Sequence, residues 1–473
     1  MLSLLKANVP VVYGYVADAH DSRANCPATT PGNSTVSNTY EGQPCGAFAP
    51  GEPGYVAQLK LWDQGFQQFF DDLNAMGINK SNTLFVIHAD ENDHYAGSAP
   101  LNPSCDGVKV PCQYDRTKVG EITTDLPLLL KNQNLYDFGI SGGTGSTPGT
   151  PRPGFTNTSL PYAIDYDTAP GFWLKGDPAQ GSPSQRLLEH ALSNVTAPNP
   201  YRGTTNSQLF SYLIDLPGLK ALHMVTSDSN RTPGVVGFGQ EDHYIQMTPL
   251  ISSSSSGPYS YCNNYPATTD ATCLDNGFIW LHGDYAPDID RTWASFVGPG
   301  VEHLGRVDSI WTDHTDVRPT MMTLICLKDS YSYEGRAVLE AIQPWALPPS
   351  VAARRDDLIS LGQEYKQINA PVGAFGAAAI DLSTFAIRSD DATYSRLESV
   401  LRGAVAERDQ LASQMQAELG KVPGCGGLAG RPINPGVGPG FGSSVSITFG
   451  DLGSLRNHAV DLKAEMDGDL SRH

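Results

Sequence analysis

The sequence predicts an α/β fold, a sheet flanked by helices, with a mainly helical C-terminal region. Three apolar runs of strand length each end in an Asp/His cluster. Val11-Val12-Tyr13-Gly14-Tyr15-Val16 runs into Asp18-Ala19-His20-Asp21, Leu84-Phe85-Val86-Ile87 into Asp90-Glu91-Asn92-Asp93-His94, and Phe278-Ile279-Trp280-Leu281 into His282-Gly283-Asp284. A stretch of helical period lies between the first two, so the order is strand, long loop, helix, strand, for which a right-handed crossover is expected. Beyond about residue 345 the apolar spacing turns helical.

Taken in order, residues 8–18 read as a buried strand, and the Thr/Pro/Gly/Asn/Ser-rich stretch 22–54 as loop. Val56, Leu59, Phe66, Phe69, Phe70, Leu73 and Met76 recur near helical spacing, which predicts a helix ending at Gly77 with its aromatic stripe in the core. A strand follows at 84–88. Residues 96–201 are rich in Pro, Gly, Ser and Thr and read as a loop-rich insertion or lid. Helical patterning returns at 185–192 and 208–213, and 222–226 looks like a strand. After the strand at 278–281 another is expected at 292–297. The helical segments 351–368, 394–419 and 452–466 then surround a Gly/Pro-rich break at 424–442. This divides the chain into an α/β domain, 1–345, and a helical region, 346–473.

Acidic residues outnumber basic ones, 50 to 31, for a formal net charge of −19. Such a surface disfavours phosphate backbones of nucleic acids and anionic membranes, while leaving room for a small phosphate ester drawn in by metal charge. No apolar run is long enough to predict a membrane span. The N-terminus lacks the pattern of a signal peptide. The eight cysteines nevertheless suggest an extracytoplasmic protein. Cys26 and Cys45, Cys105 and Cys112, and Cys262 and Cys273 form close pairs in polar loops and are expected to be loop staples. Cys326, in an apolar run, is expected to be a buried free thiol, and Cys425 is isolated.

The chemistry should lie in the three clusters, because carboxylates and imidazoles at strand ends are the ligands that zinc or manganese takes in hydrolase sites. Asp93-His94 presents two such ligands side by side, and Asp18, His20 and His282 occupy comparable positions. Asp313-His314-Thr315-Asp316 also spells like a metal motif, but Asp316 reads as a helix N-cap before Val317-Arg318-Pro319. His88 reads as a core histidine, and His243, within Gln240-Glu241-Asp242-His243, as a solvated loop histidine. No GxSxG elbow, Walker loop or Rossmann glycine pattern occurs.

In this order the clusters resemble the alkaline phosphatase superfamily, which includes nucleotide pyrophosphatase/phosphodiesterases and, more distantly, sulfatases. The likeness runs from about Val9 to Val338. It continues through Phe296-Val297-Gly298-Pro299-Gly300-Val301, Asp316-Val317-Arg318-Pro319-Thr320 and Tyr333-Glu334-Gly335-Arg336. The resemblance implies an alkaline-phosphatase-like sandwich with a central, mostly parallel sheet. It also implies two divalent metal ions, zinc or alternatively manganese, acting on a phosphodiester or phosphomonoester. Asp18, His20 and His282 would hold one ion, with Asp21 an alternative to Asp18. Asp93 and His94 would help hold the other, with Asp90 and Glu91 competing for that role. Tyr95 stands where the family has Gly. The family's nucleophile and one further ligand have no counterpart between Met1 and Val11, so the nucleophile is expected upstream, in a chain truncated at its N-terminus. The alternatives are a sulfatase, or a non-catalytic secreted binding protein that keeps the fold and part of the metal site.

Overall fold

The computed structural model describes residues 1–16, 39–40, 43–44, 47–115, 118–135, 162–165, 168–174, 178–246, 271–275, 278–327, 330–422 and 449–470. They form a mixed α/β protein with small sheets. The chain divides into two compact units interleaved in sequence. The first comprises Met1–Gly77, Glu91–Asp215 and Thr226–Arg291, and the second Ile78–Asp90, Leu216–Val225 and Thr292–His473.

Two sheets of more than two strands lie in the first unit among the described residues. In one, the strands run in the order Phe210–Asp215, Val235–Gly239, Gly171–Leu174 and Tyr162–Asp165, every pair antiparallel. In the other, Glu121–Asp125 lies between His243–Gln246, parallel to it, and Thr272–Asp275, antiparallel to it. This is the one parallel pairing among the described residues. The helix Pro183–Asn194 packs on Phe210–Asp215 and buries Leu188, Ala191 and Leu192. Each such leucine contributes about 2 kcal/mol. Ser182 caps the helix by accepting from Gln185 N at 3.4 Å, and Pro183 opens its first turn.

Several expectations meet a different outcome in this unit. The stretch 208–213, read as helical, carries the strand Phe210–Asp215. Its buried Leu209, Phe210, Leu213 and Ile214 fit either period, and pairing with Val235–Gly239 decides between them. Part of the expected insertion belongs to the packed core, where Glu121–Asp125 is buried along its whole length despite its polar sequence. Thr124 Oγ1 lies 3.0 Å from His243 Nδ1, and Asp125 accepts from Leu128 N at 3.0 Å, capping the helix Leu126–Asn132. Residues 11–16 are not in a strand, and Val11 and Tyr13 are about four-fifths exposed. The helix Pro53–Ala75 forms as expected, but its stripe is not core: Phe66 is exposed and Phe69 and Phe70 are half-buried.

Cys105 and Cys112 form the expected disulfide. Cys326 is also disulfide-bonded, which corrects the free-thiol expectation, as is Cys273. Cys26, Cys45, Cys262 and Cys425 lie outside the described residues, so the pairings proposed for them do too.

A buried carboxylate gives the first unit a pH dependence. Glu189 is wholly buried beside Arg186, 2.5 Å away. Burial and the neighbouring Asp215 carboxylate outweigh the Arg186 contact and push Glu189 up to about 7. The folded state therefore holds this proton more tightly than the unfolded chain. Its stabilising contribution is present below about pH 4.5 and is lost as pH rises to about 7, a change of ~3 kcal/mol. Urea unfolding from pH 4 to 8 is expected to show this decline, and Glu189→Gln to flatten it; equal slopes in the two proteins would contradict the assignment.

In the second unit the expected strands at 84–88 and 292–297 appear as Phe85–His88 and Ala294–Val297, paired antiparallel. The chain leaves them at Gly298, φ +156°, where a Cβ would sit 2.6 Å from Thr83 O. Gly335 is equally constrained, since a Cβ would meet Thr315 O at 2.1 Å. Arg336 N then donates to Asp316 at 2.8 Å. The GPGV, DVRPT and GR segments are thus part of one unit. The expected strand at 222–226 is absent. The helix Leu216–Ala221 precedes it and His223 takes a left-handed φ of +58°.

The helices Arg355–Asn369, Ala374–Arg388, Asp391–Leu419 and Leu452–Leu470 pack together. Asp390 caps the third, accepting from Ala392 N and Thr393 N at 3.0 Å, and its buried face carries Leu397, Leu401, Val405, Leu411 and Met415. Residues Arg355–Arg388 together have the length and apolarity of a membrane-crossing helix, but their apolar window is 67% buried in the fold. They form two helices of 15 residues each, separated at Pro371, and each is shorter than the ~20 residues that span a bilayer.

Candidate functional site

Two short strands of the first unit, His94–Tyr95 and Trp280–Leu281, pair antiparallel with His94 opposite Leu281 and Tyr95 opposite Trp280. The register is held from beneath. Ala47, Ala49, Val119 and Ile279 form a small apolar cluster against which Tyr95, Tyr114 and Trp280 pack. Trp280 Nε1 donates to Phe48 O at 2.9 Å, and Ala96 N to Ile279 O at 2.9 Å. This pairing carries the DH and HG motifs to one edge. His282 Nδ1 lies 2.8 Å from Asp93 Oδ1, and its Nε2 lies 3.3 Å from Glu91 Oε1. Gly283, at φ +80°, turns the chain just after the ring, and Thr168 Oγ1 donates to the carbonyl of His282 at 2.7 Å.

His94 is held by different carboxylates. Its Nδ1 lies 2.7 Å from Asp288 Oδ2 and its Nε2 3.0 Å from Asp242 Oδ1. Burial alone would lower this imidazole, but hydrogen bonds and charge from Asp242 and Asp288 prevail and push it up to about 9. Burial opposes ionisation of Asp242 as well, yet hydrogen bonds from His94 and from Asn199, the latter at 2.8 Å, hold it below the usual carboxylate range. Asn92 Nδ2 donates to Asp288 O at 2.7 Å and ties the two motif loops together. Asp284, a buried side chain, is pushed up to about 8, first by burial and then by the Glu241 and Asp290 carboxylates.

Of the residues expected from sequence, Asp93 and His282 are therefore in direct contact, with Glu91 beside them, and His94 stands on the same strand pair. Asp18 and His20 lie outside the described residues. Sequence reasoning missed Asp242 and Asp288. Gln240-Glu241-Asp242-His243 was the available signal for the first, with the roles reversed: Asp242 faces the site, while His243 is fully buried on the strand His243–Gln246, not solvated, and burial pushes it down to about 4.

Elsewhere the bland readings need revising. His88 is exposed at the end of its strand, 5.2 Å ring to ring from His314, and so is not a core histidine. Asp316 stands at the N-cap position of Val317–Leu324, but its carboxylate accepts from Asp313 N and Arg336 N instead of capping that helix. Lys366 Nζ, almost fully buried, reaches Asp313 at 2.6 Å and Asp316 at 3.0 Å. These two aspartates serve the fold of the second unit.

Among the described residues no group of three or more His, Cys, Asp or Glu side chains is arranged to hold a metal ion. Each ring nitrogen of His94 and His282 instead meets a carboxylate. Comparison with known proteins adds nothing to this geometry: no family model, curated protein or solved structure matches the chain.

Proposed function

We propose that the chain is a metal-dependent hydrolase of phosphate esters, diester or monoester, built as an alkaline-phosphatase-like sandwich with a mostly parallel central sheet. One observation carries the reading. Asp93 and His282, 189 positions apart and each the end of a motif named from sequence, meet at 2.8 Å through the register of two short strands. The donor chemistry of the cluster fits a divalent ion: two imidazoles and the carboxylates of Glu91, Asp93, Asp242 and Asp288 are hard and borderline ligands suited to zinc or manganese. In the arrangement described these groups are ion-paired with one another. His282, Asp93 and His94 would hold metal in their place, with Asp18 and His20 as further expected ligands.

Two such ions, when bound, would polarise the phosphoryl oxygens and stabilise the attacking and leaving oxygens. The residues of the chain orient and insulate. Before an ion binds, Asp93 fixes the His282 ring through Nδ1, as a carboxylate partner fixes the orientation of an imidazole. Asp242, pinned by Asn199, does the same for His94. Extracytoplasmic location is part of the proposal and is supported by the disulfide-bonded Cys105, Cys112, Cys273 and Cys326.

The second reading, a secreted binding protein without catalysis, is favoured by the engagement of all four ring nitrogens with carboxylates. Hydrolysis of bis(p-nitrophenyl) phosphate, p-nitrophenyl phosphate and p-nitrophenyl sulfate by chain loaded with Zn²⁺ or Mn²⁺ separates these readings. Turnover of a phosphate ester that is lost with chelator is the expected result. Turnover of the sulfate alone would move the assignment to a sulfatase, and no turnover of any of the three together with no bound Zn²⁺ or Mn²⁺ would favour the binding protein, since the expected nucleophile is not among the residues named in this chain.

A further inference from the structure

We propose that His88 and His314 are the protein ligands of a further metal site, one that takes a nitrogen-seeking divalent ion of the zinc, nickel or copper class. Both residues belong to the second unit, and the hydrolase reading uses neither of them. His88 closes the strand Phe85–His88, where Ala294 is its partner in the register. His314 opens the single turn His314–Asp316, which a capping box fixes: Asp313 accepts from Thr315 N at 2.9 Å, and Asp316 from Asp313 N at 3.2 Å. Lys366 Nζ holds the carboxylates of Asp313 and Asp316 at 2.6 and 3.0 Å. The metal-like spelling of Asp313-His314-Thr315-Asp316 therefore contributes its imidazole alone. Two segments far apart in the chain thus present two imidazoles from fixed backbone, with ring centres 5.2 Å apart and planes tilted by 48°.

Both side chains are exposed, so the contact is not core packing. The ring nitrogens of His94 and His282 all meet carboxylates, and those of this pair do not. His88 Nδ1 donates to Ala89 O at 2.9 Å. That bond places the proton of the neutral ring on Nδ1 and leaves the Nε2 lone pair for a ligand, the arrangement in which histidine binds metal. Among the described residues, His88 Nε2 and both nitrogens of His314 make no hydrogen bond or ion pair. The spacing suits shared coordination. An imidazole nitrogen ligates zinc at about 2.0–2.1 Å, and two rings on one tetrahedral ion then have their centres about 5 Å apart. A pair of imidazoles favours zinc, nickel or copper over magnesium or calcium, which take oxygen ligands. Water completes the shell, and the net charge of −19 favours accumulation of cations. A bound ion ties the end of the strand to the turn ahead of the helix Val317–Leu324.

Diethylpyrocarbonate footprinting of the full chain, read histidine by histidine by peptide mass spectrometry with and without Zn²⁺ or Ni²⁺, tests this. His88 and His314 are expected to lose reactivity together as the ion is added, while the exposed His303 keeps its own. His314→Ala is expected to abolish the protection of His88, and His88→Ala that of His314. Both positions are exposed, so circular dichroism should be unchanged in the two variants. Because each histidine is read separately, protection of His94 and His282 reports the proposed hydrolase site on its own, and either reading can fail without the other. His88 and His314 that stay reactive at about 1 mM of either ion, or that are protected no more than His303, overturn the proposal. So does protection of one that survives alanine at the other, since the ion is then held by a single imidazole.

Discussion

Alanine at His282 is expected to lower metal affinity and metal-dependent phosphate ester hydrolysis at least hundredfold, equivalent to ~2.7 kcal/mol of transition-state stabilisation. The same loss is expected for Asp93→Ala, and the double variant should be little worse than either single one. The reason is geometric. Asp93 Oδ1 and His282 Nδ1 are 2.8 Å apart, so removing the carboxylate releases the ring and removing the ring leaves the carboxylate without its partner. Groups that act as a unit give non-additive losses. Metal titration and kcat/KM of the three variants check this. Small losses that add would mean that the two residues merely share a surface.

Arg408→Met is expected to cost the second unit about 2–4 kcal/mol of stability. Arg408 is fully buried on the helix Asp391–Leu419. Its guanidinium donates to the carbonyls of Lys220 at 2.9 Å, Ala221 at 3.0 Å and Ile368 at 3.3 Å, and to Asp409 at 2.8 Å. Those carbonyls belong to the last turns of Leu216–Ala221 and Arg355–Asn369; Lys220 O also accepts from His223 N at 3.2 Å, while Ala221 O and Ile368 O lie past the last helical N–H. A cation at these C-terminal ends is also favoured by the helix dipoles. Methionine preserves much of the volume and the packing near Phe375, so the loss reports the unsatisfied carbonyls. Urea unfolding measures it. A change below ~1 kcal/mol would show that water replaces the guanidinium.

Much of the helical part was legible because its signals are local. Asp390 and Ser182 stand where caps belong, and the periodic leucines of 394–419 can satisfy only a helix of that length. What failed depended on distant partners. Residues 208–213 fit two periods until Val235–Gly239 arrives beside them. Residues 11–16 carry the composition of a strand, but composition makes no ladder. The site divides in the same way. Asp93 and His282 could be named because each sits in a recognisable dipeptide at a strand end. Asp242 and Asp288 could not, because their approach to His94 depends on contacts spanning 148 and 194 residues. His243 was misjudged for the same reason: its neighbour Thr124 is 119 positions away and buries it.

The most direct measurement is the metal content of the purified chain by plasma mass spectrometry, with His94→Ala and His282→Ala prepared alongside. Zinc or manganese retained by the wild type and reduced in both variants is the expected result, because both imidazoles are proposed as metal ligands. A wild type that is folded by circular dichroism and holds no metal after exposure to both ions would contradict the hydrolase assignment and leave the ion-paired cluster as a structural feature of a binding protein.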